Sequence, residues 1–288
     1  MRRFCVIALL AVLAAAADPE PRRLLKARIR TGDRYSITNK VSYELELDEV
    51  QGNQKRSTSE SVERTERFVD VVGRAGERGG FEIERTYLKL YTKIRTPGDD
   101  RARVVRSPLT GRTLLLRERR RRLDVKLKGA GTVEGMVRRT VGIELDWRDV
   151  LPDEPVGPGD SWKAEAGPLS QKLAAYLKTG QRYAMHVRYE GNTVFQGVRC
   201  ARLYVDWSVE GMRDRNLFAK VSLAGDVYFD LQNQRFLSAD LAGSILVRGA
   251  VLGDGPARIV NGQGLVHLKT TISPAQVRPS AAEERKAG

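Results

Sequence analysis

The densest chemistry in the chain is the run Arg117-Glu118-Arg119-Arg120-Arg121-Arg122. A guanidinium offers a planar fork of N–H donors that fits phosphate or carboxylate oxygens two at a time. In a strand, Arg117, Arg119 and Arg121 share one face; at a hairpin tip, all of them project outward. Either way Arg117, Arg119, Arg120, Arg121 and Arg122 form a candidate surface for an anionic ligand. The competing role is charge pairing, since residues 44–70 carry eight acids against four bases. The surroundings are basic as well: residues 101–128 hold eleven Lys or Arg against Glu118 and Asp124, a net of +9. The whole chain is +14, so this one stretch dominates its electrostatics.

Other reactive groups are sparse. His186 and His267 are the only histidines, and no Cys/His spacing suits a metal. There is no Gly-x-Ser-x-Gly elbow, Walker loop or Gly-x-Gly-x-x-Gly fingerprint. The pairs Glu44/Glu46 and Glu82/Glu84 place two carboxylates on one face of a strand, as a glycosidase requires across its cleft, but exposed sheet faces carry such pairs routinely. Cys200 lies in the strand-like run Val198-Arg199-Cys200-Ala201-Arg202-Leu203 and reads as a small buried hydrophobe. These features point away from an enzyme and call for neither cofactor nor metal. Nucleic acid is not an expected partner, because the basic stretch lacks interleaved aromatics.

The elements that must position these residues are strands. From Tyr35 the odd positions read Tyr35, Ile37, Asn39, Val41, Tyr43, Leu45, Leu47, and the even positions are polar, which predicts a long half-buried strand. Further strands are expected near 57–72, 81–94, 102–107, 113–116, 123–127, 141–147, 183–190, 193–195, 199–209, 217–231, 236–248 and 264–272. Residues 151–162 contain three prolines and two glycines and break the sheet. Gly159 and Asp160 should make its final turn, and Trp162 should anchor the chain where it re-enters the sheet. Residues 169–178 have the period of a helix, with Leu169, Leu173, Tyr176 and Leu177 on one face.

At the start, Arg2 and Arg3 precede an apolar run ending in alanines, which reads as a signal peptide over 1–17 and export to the periplasm or beyond. The organisation that follows is a first β half (18–150), a linker with a short helix (151–178), a second β half (179–273) and a disordered tail (274–288). No transmembrane segment is expected after cleavage. Thr31-Gly32-Asp33-Arg34-Tyr35 recurs as Thr179-Gly180-Gln181-Arg182-Tyr183. Val105, Leu109, Leu115 and Val125 align at constant offset with Val227, Leu231, Leu237 and Val247. Both matches suggest an internal duplication.

Leu151-Pro152-Asp153-Glu154-Pro155-Val156-Gly157-Pro158-Gly159-Asp160-Ser161-Trp162 resembles a Leu-Pro-x-x-Pro-Val-x-x-Gly-Asp-x-Trp pattern of exported bacterial β-rich proteins without an assigned activity. That resemblance implies an envelope location. At the level of fold alone, the long strands look like the half-barrel of lipoprotein-carrier proteins. The expected fold is therefore mainly β: a large, twisted antiparallel sheet curled into a barrel or half-barrel, with one or two short helices. The expected function is non-enzymatic binding of a lipid-like, apolar or anionic envelope component. A purely structural or assembly role in the envelope is the alternative.

Overall fold

Apolar and polar side chains alternate through most of the chain, and the computed structural model turns that alternation into one sheet. The structure describes residues 21–75, 80–96, 101–119, 122–133, 141, 150–164, 179–214, 216–251 and 257–275. The proposed leader, Arg120, Arg121, the expected helix at 169–178 and the tail beyond 275 lie outside the described residues, as does most of the strand expected at 141–147.

The described residues form twelve strands: β1 (Arg34–Gln51), β2 (Gln54–Ala75), β3 (Phe81–Arg95), β4 (Arg103–Arg106), β5 (Thr113–Arg119), β6 (Arg122–Leu127), β7 (Ser161–Lys163), β8 (Thr179–Phe195), β9 (Val198–Asp214), β10 (Leu217–Asp230), β11 (Arg235–Val251) and β12 (Arg258–Pro274). They lie in the order β6-β5-β3-β2-β1-β12-β11-β10-β9-β8-β7, with β4 beside β3. Every pairing is antiparallel. The first long strand pairs with the last, from Tyr35 opposite Pro274 to Val50 opposite Ile259. Strands β1–β6 therefore form one wing and β7–β12 the other. The outermost strands, β6 and β7, do not pair among the described residues, so the sheet is open.

Register fixes which face is buried. Ile37 stands between Ile272 and Phe68, and Asn39 between Thr270 and Glu66. Farther out, Leu203 faces Val227 on one side and Tyr189 on the other. Ile37, Ile272, Phe68, Leu203, Val227 and Tyr189 join one apolar cluster spanning both wings, to which Leu25, Val150 and Val156 from outside the strands contribute.

A single sheet buries a face this fully only if it bends, and three glycines mark a bend. Gly225, Gly243 and Gly264 step two residues per strand across β10, β11 and β12. A Cβ on them would run into the backbone carbonyls of Asp240, Ser222 and Glu44 respectively. Neighbouring backbones approach too closely there for any side chain, as at a sharp bend in a curved sheet.

Two expectations meet finer detail. The segments 183–190 and 193–195 are one continuous strand, β8, with a register irregularity between Tyr189 and Gly191. The constant-offset match does not follow the topology: Leu115 and Val125 lie on separate strands, β5 and β6, whereas Leu237 and Val247 share β11.

Candidate functional site: a basic wing with a cationic rim

The wing β3–β6 carries the arginine run to the edge of the sheet. Arg119 pairs with Arg122 across the end of the β5–β6 hairpin, so the run turns rather than continuing as one strand. Arg120 and Arg121 fall between them, outside the described residues. Arg117 lies opposite Glu82 and makes an ion pair with it, Nε to Oε1 at 2.9 Å. Lys128 pairs with Glu84 at 2.8 Å and Lys126 with Asp124 at 3.4 Å. The local carboxylates of β3 and β6 thus neutralise part of the wing, and Glu63 of β2 adds a 3.5 Å pair to Lys93 of β3. These pairs are exposed, and such pairs contribute about 0–1 kcal/mol each.

Sequence reasoning weighted the dense run and missed the cations that the fold leaves unneutralised. Arg101, Arg103, Arg106 and Arg112 are all exposed, and none has an acidic partner among the described residues. Strand β4 pairs with residues Tyr91 to Ile94 of β3, and no described strand pairs with its other edge. The signal was present in Arg103-Val104-Val105-Arg106: a strand whose apolar pair is bracketed by arginines has no apolar face to bury. All four side chains are exposed.

The Gly-Asp-Ser-Trp segment sits at the opposite edge. Gly159 has φ +89°, and its N–H donates to the Tyr189 carbonyl at 2.7 Å. The Asp160 carboxylate accepts from the Gly157 N–H at 2.8 Å and pairs with Arg22 at 2.9 Å. Trp162 is the middle residue of β7, opposite Val187, is partly buried, and donates Nε1–H to the Val150 carbonyl at 2.9 Å.

Ionisable groups also occupy the buried face. Arg85 meets Asp70 through two hydrogen bonds, Nε to Oδ1 at 2.8 Å and Nη2 to Oδ2 at 2.7 Å, with both side chains fully buried. The guanidinium lies 3.8 Å over the Phe68 ring. Burial alone would lower the Arg85 pKa, but the charge and hydrogen bonds of Asp70 outweigh it and raise it. Burial also pushes the neighbouring Tyr87 hydroxyl up to about 12. Nearby, Thr270 donates to Asn39 at 2.9 Å, Asn39 donates to Glu66 at 3.2 Å, and Arg64 donates to Glu66 at 2.8 Å. Every charge in this cluster is paired, as buried charges must be, so the cluster holds β12, β1, β2 and β3 together and presents no free group to a ligand.

The remaining candidates disperse. His186 stands opposite Asp206 on the outer face. His267 contacts Asp240 at 2.5 Å, and Asp240 also accepts from Lys269 at 2.6 Å. The two histidines are four strands apart, on β8 and β12. Cys200 is fully buried, and burial, followed by the charge of Asp230, pushes its thiol up, away from reactivity. Glu44 and Glu46 line an open outer-face depression of about 820 Å³ that runs from Arg95 to Lys220, with Leu265 on its wall. Among the described residues no His/Cys/Asp/Glu group could hold a metal ion, and no helix is long and apolar enough to cross a membrane.

No family model and no curated protein matches the chain. Among solved structures it is similar to a chain of the MucA/MucB complex of Pseudomonas aeruginosa at 9% identity, covering 82% of this chain and 94% of that one with a TM-score of 0.15. It is also similar to a DUF1329 family protein from Desulfovibrio piger at 8% identity, covering 88% and 91%, with a TM-score of 0.13. Superpositions this loose carry no argument about fold or function.

Proposed function

We propose that the chain is an exported, non-enzymatic binding protein of the cell envelope, and that its binding surface is the basic wing. The ligand is anionic and lipid-like. Arg117 stands on β5 within that surface, Arg119, Arg120, Arg121 and Arg122 are assigned to it from the sequence, and Arg103 and Arg106 extend it along β4. The observation that carries the reading is the exposure of Arg101, Arg103, Arg106 and Arg112 with no acidic partner among the described residues. Cations that the fold leaves unneutralised on one edge concentrate anions there, each adding about 1 kcal/mol near an anionic surface. Export rests on the leader-like start of the sequence. The inner face of the sheet, curled as a half-barrel, serves as the scaffold: its core side chains pack against one another, and the alternative of an apolar ligand held inside is not favoured.

The structural or assembly role is the second reading, favoured by the Arg117–Glu82 and Lys128–Glu84 pairs that consume part of the wing. Changing Arg119, Arg120, Arg121 and Arg122 to Ser separates the two. Binding to anionic vesicles should fall while the urea midpoint barely moves, since exposed pairs contribute about 0–1 kcal/mol each. Unchanged binding with a large loss of stability would favour the structural role instead.

A further inference from the structure

Ten large apolar side chains stand exposed on the described surface, and Leu88, Val104, Val105 and Leu115 of the basic wing are among them. Val104 is 52% exposed, Leu88 49% and Val105 41%. Isolated apolar side chains on a surface require no explanation. Here, though, Val104, Val105 and Leu88 lie directly beside cations. Val104 and Val105 lie between Arg103 and Arg106, and Leu88 precedes Lys89 at the position where β3 bulges out of register with β2. Leu88 and Val104 are separated by about five residue steps along β3, roughly 17 Å at strand spacing.

We infer that this rim is a docking surface for the anionic surface of a lipid bilayer, with Val104, Val105 and Leu88 entering the headgroup layer while Arg103, Arg106 and Lys89 hold lipid phosphates. The inference rests on the proposed anionic-ligand role of the wing and names the physical form of that ligand. Two properties of β4 favour a bilayer surface over a soluble anion. Successive residues of a strand point to opposite faces, so Val104 and Val105 flank the edge as a wedge, and a dissolved phosphate has no use for apolar side chains on both sides of it. Interfacial binding combines apolar insertion with basic side chains in this way. The outer edge of β4, with which no described strand pairs, also sets the depth. Backbone amides and carbonyls on such an edge need polar partners, which headgroups and interfacial water supply and the hydrocarbon core does not. The edge therefore rests at headgroup level.

The test uses the full chain and a Val104→Ser/Val105→Ser variant, with Leu88→Ser as an independent second variant. Each is titrated with vesicles of phosphatidylglycerol and phosphatidylcholine, and separately with soluble polyphosphate. Removing two inserted valines should weaken vesicle binding by about tenfold, and Leu88→Ser by a smaller factor, while polyphosphate binding stays unchanged. Equal vesicle affinity in variants and wild type would overturn the insertion and leave the anionic site standing. A parallel loss towards vesicles and polyphosphate would also overturn it, because the valines would then be shaping the site and not inserting. If the wild-type chain binds neither, the anionic-ligand reading fails and this inference fails with it.

Discussion

Arg85 on β3 lies directly opposite Asp70 on β2, and the two close a bidentate ion pair that no solvent reaches. Removing one partner leaves a bare charge in the core. Asp70→Ala is therefore expected to cost about 3–5 kcal/mol in urea unfolding. The double change Asp70→Leu/Arg85→Met removes both charges and should cost clearly less than Asp70→Ala alone. A double variant weaker than the single one would show that the pair contributes net stability.

Tyr87 links the same cluster to pH. Its folded pKa, about 12, lies above the ordinary tyrosine value of about 10, because burial disfavours the phenolate. A raised folded value means the contribution is fully present below pH 10 and is lost as pH rises through about 12. Denaturant midpoints measured from pH 9 to 12 should fall more steeply for the wild-type chain than for Tyr87→Phe. Parallel curves would exclude Tyr87 as the titrating group.

Much of this architecture could be read in the sequence. The odd residues of β1 from Tyr35 to Leu47 alternate so regularly that the strand and its buried face follow from the pattern, and β3 and β11 fall within a few residues of their expected limits. The first part of β12 was missed because Val260-Asn261-Gly262-Gln263-Gly264 carries glycines where a strand normally has side chains. Gly264 is required by the close approach of the Glu44 backbone, and a Cβ on Gly262 would meet the Leu47 side chain; both are tertiary facts. The buried pair left a trace in the parity of its strands. Arg85 occupies the same slots as Phe81, Ile83 and Tyr87, and Asp70 those of Phe68 and Val72, so two charges stand in apolar positions. Which cations of the wing are neutralised could not be read at all, because that depends on Glu82 lying opposite Arg117.

The bend at Gly243 makes a steric prediction. An alanine Cβ there would overlap the Ser222 carbonyl, which is fixed in a neighbouring strand. Gly243→Ala should cost about 3 kcal/mol or more, at the upper end of overpacking effects. Gly52, in the β1–β2 turn at φ +58°, has open space around it, and Gly52→Ala should cost only about 1 kcal/mol of left-handed strain. Equal costs at the two sites would mean that the sheet flattens easily and that the bend is not built in.

Two tryptophans should respond differently to loss of the indole N–H. Trp207 is buried, and its Nε1 has no hydrogen-bond partner among the described residues, whereas Trp162 donates to Val150. Trp207→Phe removes an unsatisfied donor and should change stability by less than about 1 kcal/mol, although Trp207→Ala should cost about 3–5. Trp162→Phe loses a made bond and should cost about 1 kcal/mol. A large penalty for Trp207→Phe in thermal unfolding would reveal a partner for that nitrogen.

Binding of an anionic envelope ligand by the basic wing must show in co-sedimentation of the full chain with vesicles across a salt series. Lowering ionic strength from 0.15 to 0.01 M lengthens the Debye screening distance from about 8 Å to about 30 Å, so a site built from exposed arginines must strengthen steeply. Strong retention by phosphatidylglycerol vesicles is expected at low salt, with at least tenfold weaker retention at 0.15 M and little retention by phosphatidylcholine under either condition. Equal retention by both lipids, or none by the anionic vesicles at low salt, would contradict it.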